Sequence, residues 1–336
     1  MSGPEEADDP LGEFEWIERE LRPLAAGAPE AFQLLDDAAA IPQRPGFDLI
    51  VSKDAIVEGV HFLDSDPLDL VARKLLRVNL SDLAAKGAEP YGYFLAVAWP
   101  ARHGRADRAA FVQGLKADQA QFGVKLLGGD TVSTPGPLSA SLTILGWAPA
   151  GAMVRRGGAK PGDVVLVTGS IGDGWLGLAA ARAVLEAPAA DLAWLADRYR
   201  LPRPRLGLDG PLRALAHAAA DVSDGLIADV GRIAIASGAG VELDLDRIPL
   251  SAAAARWLAA QPDRAAALVD LAAGGDDYEV VCTAPPEGVA ALQARAVELG
   301  FAFTPVGRVA AAKAAGVVAR VDGAVVPVSR AGYRHA

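Results

Sequence analysis

The chain has 336 residues, 51% of them hydrophobic and 22% charged, and a formal net charge of -10. That length exceeds one ordinary core and favours two domains, while the acidity excludes a protein that binds nucleic acid by neutralising phosphates with clustered Lys and Arg. A single cysteine, Cys282, excludes a disulfide framework and a Cys-rich metal site and fits a small core residue in a reducing compartment. The opening MSGPEEADDP lacks the basic and apolar regions of a secretory leader, and no apolar run reaches the roughly 18 residues of a membrane span, so a cytoplasmic protein without membrane or nucleic-acid partners is expected.

In chain order, residues 47–62 predict a strand, a short break and a second strand, because Leu49, Ile50, Val51, Ile56 and Val57 are β-formers separated by polar residues. Asp66 before Pro67 marks a helix start, and Gly87 with Pro90 marks its stop, so one long helix is expected over 67–86. Residues 92–100 predict a buried strand, 107–121 a helix, 124–127 a strand leading into Gly128-Gly129-Asp130, and 139–146 a further strand. Strands and helices thus alternate to about residue 148. The turn Lys160-Pro161-Gly162-Asp163 opens a second block with a strand over 164–169, and an alanine-rich helical stretch over 212–220 precedes Asp221-Val222-Ser223-Asp224-Gly225. The boundary is expected near 148–160, giving mixed α/β (α+β) domains at 1–149 and 150–336.

Five aspartate-bearing stretches lie among apolar or small residues: Asp36-Asp37, Asp54, Asn79-Leu80-Ser81-Asp82, Gly128-Gly129-Asp130 and Asp221-Val222-Ser223-Asp224. Carboxylates in such surroundings are costly unless cations or several donors meet them. The two-residue period of a strand puts Ser52 and Asp54 on one face and Lys53 on the other. On the expected helix, Asn79, Asp82 and Lys86 form one stripe. Taken singly, each stretch has an ordinary reading: a strand-end turn at Asp54, a hairpin turn at Gly128–Asp130, a surface pair for Asp82 with Lys86. The loop Gly169-Ser170-Ile171-Gly172-Asp173-Gly174 stands between strand and helix as phosphate cradles do, but it matches neither the P-loop nor the dinucleotide fingerprint, so tight strand-to-helix packing is the default. Together, dispersed carboxylates suit Mg²⁺, which bridges oxygen ligands to phosphates, and this points to phosphoryl transfer, with a non-catalytic divalent-ion-binding fold as the alternative.

The ordered series Gly12-Glu13-Phe14, Leu35-Asp36-Asp37-Ala38-Ala39, Glu58-Gly59-Val60-His61-Phe62, Asn79-Leu80-Ser81-Asp82-Leu83-Ala84-Ala85, Gly128-Gly129-Asp130-Thr131, Asp221-Val222-Ser223-Asp224-Gly225-Leu226 and Gly275-Asp276-Asp277-Tyr278-Glu279 closely resembles the thiamine-monophosphate kinase family over nearly the whole chain. The resemblance implies ATP-dependent phosphorylation of thiamine phosphate, several Mg²⁺ ions, and a two-domain α/β fold that forms a homodimer through the first domain. By position it implies a metal shell of Asp37, Ser52, Asp54, Asp82, Asp130, Asp221 and Asp224, ATP contacts at Gly129, Asp130, Arg156 and Ser223, and thiamine phosphate contacts at His61, Asp276 and Tyr333. A related ATP-using enzyme of the wider superfamily is the runner-up; selenophosphate synthetase is disfavoured because the only cysteine is Cys282. Three departures from the family pattern are Leu35 for glycine, Lys53 for threonine and Asp276 for glutamate.

Overall fold

The structure, a computed structural model, describes residues 13–311 and 315–333; Gly12 and the acidic N-terminal decapeptide lie outside the described residues. The chain divides into two compact units, one running to Asn79 and resuming over Pro90–Trp147, the other formed by Leu80–Glu89 and the chain from Ala148 onward. The second unit thus also takes a short piece from within the first half.

The first unit begins with a short helix α1 (Glu13–Trp16), a π turn (Ile17–Leu21) and two 3-10 segments (Arg22–Ala25 and Pro29–Leu34). Strands β1 (Phe47–Val57), β2 (Glu89–Pro100), β3 (Lys125–Thr134) and β4 (Ser139–Pro149) form a sheet in the order β1-β4-β2-β3, with helices α2 (Leu68–Lys86) between β1 and β2 and α3 (Arg105–Phe122) between β2 and β3. On β2 the odd residues Tyr93, Leu95, Val97 and Trp99 are buried, and the Trp99 ring meets Phe111 of α3 edge-on at 5.4 Å. Ala25, Ala28 and Ala31 pack on Leu127 and Leu145, small residues that let the N-terminal turns lie close to the sheet.

Two expectations change here. Residues 47–57 form one unbroken strand, because Ser52 and Asp54 fall on the inward parity with Ile50 and Ile56 while Lys53 and Ala55 fall on the outward one, so the polar residues fit the pleat. Glu58–Phe62 closes as a tight turn, with the Gly59 N–H donating to the Phe62 carbonyl at 2.8 Å. Gly128-Gly129-Asp130 is not a hairpin turn but the middle of β3, paired in parallel with Phe94, Leu95 and Ala96 across a bulge that leaves Leu127 unmatched. Gly129 permits this: a Cβ there would stand 1.8 Å from the Leu95 carbonyl oxygen.

The second unit contains β5 (Val164–Thr168), α4 (Asp173–Ala181), α5 (Ala189–Arg200), α6 (Asp209–Leu215), β6 (Ala218–Val222), α7 (Leu226–Ser237), β7 (Gly240–Asp244), α8 (Ala252–Ala259), α9 (Arg264–Ala273), β8 (Glu279–Ala284), α10 (Pro286–Glu298), β9 (Phe303–Ala310), β10 (Gly316–Val321) and β11 (Ala324–Val325). Its seven-stranded sheet has the order β11-β10-β7-β9-β5-β8-β6, with β7 and β10 parallel and the other pairs antiparallel. Both faces are covered. Val165 and Val167 of β5 join the core under α7 and α9, and Leu166 joins the opposite core with Leu212, Leu292 and Cys282. The alanines at 218–220, expected as helix, are the fully buried start of β6; two-sided burial overrides alanine's helix preference. Among the described residues no helix is long and apolar enough to cross a membrane.

Candidate active site

In the first unit, Asp37, Gly129 and Asp130 line a cavity of about 660 Å³ together with Trp16, Arg22 and Phe94. Asp37 follows three consecutive non-glycine residues in left-handed conformation, Phe32 (φ 47), Gln33 (φ 58) and Leu34 (φ 57), each a costly geometry for an L-residue. Leu35 itself has φ -102, which leucine adopts without strain, so the departure from glycine restricts nothing at that position. Asp54 is fixed from α2: the buried Asn79 accepts from the Asp54 N–H at 3.1 Å and donates its amide to the Leu75 carbonyl at 2.8 Å. Lys53, on the other face of β1, donates to the Ser141 hydroxyl of β4 and points away from Asp54's side. His61 is half-buried, and its Nδ1 accepts from the Val57 N–H at 3.1 Å. A neutral ring so held keeps its proton on Nε2.

In the second unit, Lys86 at the end of α2 donates to the Ala219 carbonyl of β6 at 2.8 Å. Burial, and then the Arg156 charge, push its pKa down to about 8 against the opposing pull of Asp221 and Asp82. Three of the expected site residues therefore share one electrostatic neighbourhood around a lysine. Asp221 is buried in β6. Beyond it the chain turns at Gly225 (φ 124), where a Cβ would meet the Ala273 backbone at 2.9 Å. The buried Asp229 of α7 ties this turn, its Oδ2 accepting from the Ser223 and Asp224 N–H groups at 3.1 and 3.0 Å, and its Oδ1 accepting from Arg232 at 2.6 Å. Burial pushes the Asp229 carboxyl up to about 6, with Arg232 opposing. Asp224 shares an ion pair with the same Arg232.

The Ser223–Asp224 segment also holds both expected second-unit substrate residues. Its Ser223 carbonyl accepts from the Asp276 N–H at 2.8 Å, and its Asp224 carbonyl accepts from the Tyr333 N–H at 2.9 Å. Asp276 (φ 63) and Tyr278 (φ 51) are left-handed, with Asp277 between them. The Asp277 side chain is buried and accepts from the Gly172 and Gly174 N–H groups at 2.8 and 3.0 Å. Burial pushes its carboxyl well up, the two N–H donors opposing. The loop after β5 is thus closed by a carboxylate of the protein, and a Cβ on Gly174 would lie 2.2 Å from the Asp276 carbonyl oxygen. Close packing, not phosphate cradling, explains its glycines.

The donor set fits Mg²⁺. Among the described residues no three His, Cys, Asp or Glu side chains gather tightly enough to hold one ion, yet Mg²⁺ keeps waters and takes one or two carboxylates plus phosphate oxygens, and Asp37 and Asp130 both line the first unit's cavity. Asn79, Lys86, Asp229 and Asp277 were not singled out as site residues by sequence; only Asn79 and Lys86 carried a signal, the helical stripe they share with Asp82.

Two segments match the AIR synthase related protein family, residues 35–148 its N-terminal domain and residues 160–320 its C-terminal domain. The fold and site therefore define a two-domain protein of the AIR synthase-related class. The chain is 53% identical over 327 residues to the thiamine-monophosphate kinase of Caulobacter vibrioides, covering 97% of this chain and 91% of that protein. It aligns with the crystal structure of thiamine-monophosphate kinase from Stenotrophomonas maltophilia K279a at a TM-score of 0.77 and 38% identity, over 87% of this chain and 91% of that one. With the structure of AaThiL complexed with AMPPCP and TMP the TM-score is 0.76 at 26% identity, over 96% of this chain and 97% of that one. The chain belongs to the thiamine-monophosphate kinase family.

Proposed function

We propose that the protein transfers the γ-phosphoryl group of ATP to thiamine phosphate, giving thiamine diphosphate and ADP in the last step of thiamine diphosphate biosynthesis. The observation that carries this reading is similarity over 97% of the chain to a thiamine-monophosphate kinase, supported by the likeness to AaThiL with AMPPCP and TMP. Asp276 and Tyr333, tied by their backbones to adjacent residues Ser223 and Asp224, suit the thiazolium of thiamine phosphate, because a flat cation pairs with a carboxylate and an aromatic face. His61 serves the phosphate end, its ring oriented by the Val57 N–H, which donates to Nδ1. Gly129, Asp130, Arg156 and Ser223 contact ATP. Asp37, Ser52, Asp54, Asp82, Asp130, Asp221 and Asp224 hold several Mg²⁺ ions, whose chemistry when bound is to neutralise the polyphosphate and polarise the γ-phosphorus.

A phosphate oxygen of the acceptor attacks in line, and the ADP oxygen leaves on the opposite side. The acceptor oxygen is already anionic near neutrality, so no residue is needed as a strong base and no covalent enzyme intermediate forms; the side chains act by orientation and charge. Leu35 and Lys53 do not favour a catalytically silent binder, since Leu35 is unstrained and the Lys53 ammonium is turned to Ser141. A homodimer through the first sheet is supported by its outward face, where Val51 and Val132 are 55% and 51% exposed, and a cytoplasmic location by the reaction's substrates. Incubation with Mg-ATP and thiamine phosphate is expected to yield thiamine diphosphate and ADP. ATP binding without that product would overturn the assignment.

A further inference from the structure

Asp277 is a buried acid of the second unit that the proposed chemistry does not use. Its carboxylate accepts from two backbone N–H groups at the start of α4, Gly172 at 2.8 Å and Gly174 at 3.0 Å, and only 1% of the residue is exposed. Its neighbours on both sides, Asp276 and Tyr278, have left-handed backbones, which non-glycine residues adopt at a cost and hold only when the surroundings over-determine them. The determination is visible. The Asp276 N–H donates to the Ser223 carbonyl and the Tyr278 N–H to the Val222 carbonyl, each at 2.8 Å, while the Arg198 guanidinium of α5 reaches the Asp277 carbonyl at 3.4 Å. On the far side Gly174 lies so close that a Cβ would meet the Asp276 carbonyl oxygen at 2.2 Å.

Exposure alternates along this loop, with Asp277 buried between the partly exposed Asp276 and Tyr278, so an Asp277 side chain bonded to the start of α4 fixes the backbone from which Asp276 projects. The Asp276 carboxylate is therefore presented by the anchorage of the next residue. We propose that Asp277 is a positioning residue for thiamine phosphate: by locking the 275–278 loop onto the N-terminus of α4 it sets the aim of Asp276 at the cationic ring. This rests on the proposed reading of Asp276 as a substrate contact.

The test uses the full-length protein and the variants Asp277→Asn, Asp276→Asn and the double variant, with separate KM values for thiamine phosphate and ATP and calorimetric binding of thiamine phosphate alone. Asn at 277 keeps one acceptor but turns an N–H₂ toward a backbone donor, so the loop loosens without a change of volume. The expected result is a rise of tenfold or more in KM for thiamine phosphate in each single variant, KM for ATP within twofold of the parent, and a double variant no worse than the weaker single. Independent, multiplying effects of the two substitutions, or equal loss of both substrates' KM, would overturn the proposal. Should Asp277→Asn fail to fold, Gly174→Ala displaces the same loop while leaving Asp277 in place, and must reproduce the selective rise; if it instead leaves thiamine phosphate binding unchanged, the proposal fails. A parent protein that does not bind thiamine phosphate refutes the functional reading, whereas a parent that binds it with unaffected variants refutes only the positioning role.

Discussion

Lys86 is held where a charge is expensive. Its ammonium donates to the Ala219 carbonyl at 2.8 Å, and its pKa falls from the ordinary 10.5 to about 8, burial being the first cause and Arg156 the second. A folded-state pKa below the unfolded one means that the folded chain holds this proton less tightly. The lysine therefore costs stability below about pH 8, and the cost fades as pH rises toward the unfolded value. At about 1.36 kcal/mol per unit the cost is about 3 kcal/mol at about pH 7 and about 1 kcal/mol at about pH 9.5. Lys86→Met keeps an unbranched chain and removes the charge, while leaving the Ala219 carbonyl short of a donor, a loss of about 1 kcal/mol at either pH. The variant is expected to be about 2 kcal/mol more stable than the parent at about pH 7 and equal to it at about pH 9.5. Urea denaturation in the presence of a chelator, with m-values compared at both pH values, reads this directly. A variant that is less stable at neutral pH, or whose stability difference does not change with pH, would refute the argument that the ammonium is carried at an electrostatic cost.

Other substitutions probe the remaining supports. Gly129→Ala would drive a Cβ to 1.8 Å from the Leu95 carbonyl oxygen, so a loss of roughly 3 kcal/mol or more is expected in urea denaturation; parental stability would show that the β2–β3 pairing is looser than described. Asn79→Ala leaves the Asp54 N–H without its 3.1 Å acceptor and should cost about 1–3 kcal/mol, with a higher Mg²⁺ concentration needed for half-maximal turnover. An unchanged Mg²⁺ response would separate Asn79 from the metal site. Asp82→Asn should abolish metal-dependent turnover with an unchanged circular dichroism spectrum, and full activity in that variant would contradict the metal-shell assignment.

The sequence disclosed the elements whose periodicity is strong. The helix after Asp66-Pro67 starts one residue later than expected, at Leu68, and ends at Lys86 as expected, because Pro67 before it and Gly87 after it act locally. The strand over β3 was cut short at Leu127 because two glycines read as a turn; what keeps them in the strand is the β2 partner, a contact 34 residues away in sequence that no local rule contains. The helix expected over 212–220 holds only to Leu215, the end of α6, and gives way to β6 from Ala218, since alanine at 218–220 is chosen for burial between layers. Among candidate site residues, the aspartates were singled out because acids in apolar surroundings stand out. Asp229 and Asp277 were not, although they are acids in such surroundings too, because their partners are backbone N–H groups of other segments and backbone donors leave no mark in the residue string.

The left-handed backbone at Asp276 bears on why an aspartate stands there in place of the family's glutamate. Aspartate and asparagine are several-fold enriched among non-glycine residues with φ above zero, and glutamate is not among the enriched types. At φ 63 the shorter acid is the easier fit, so the loop trades a methylene of reach for backbone ease. On the proposed reading of Asp276 as a substrate contact, this makes the position an accessible one for retuning selectivity. Exchanges among aspartate, asparagine and glycine leave the scaffold's conformation intact, and Asp276→Asn with an uncharged thiazole analogue as acceptor would test how far the enzyme's choice of substrate travels through one carboxylate.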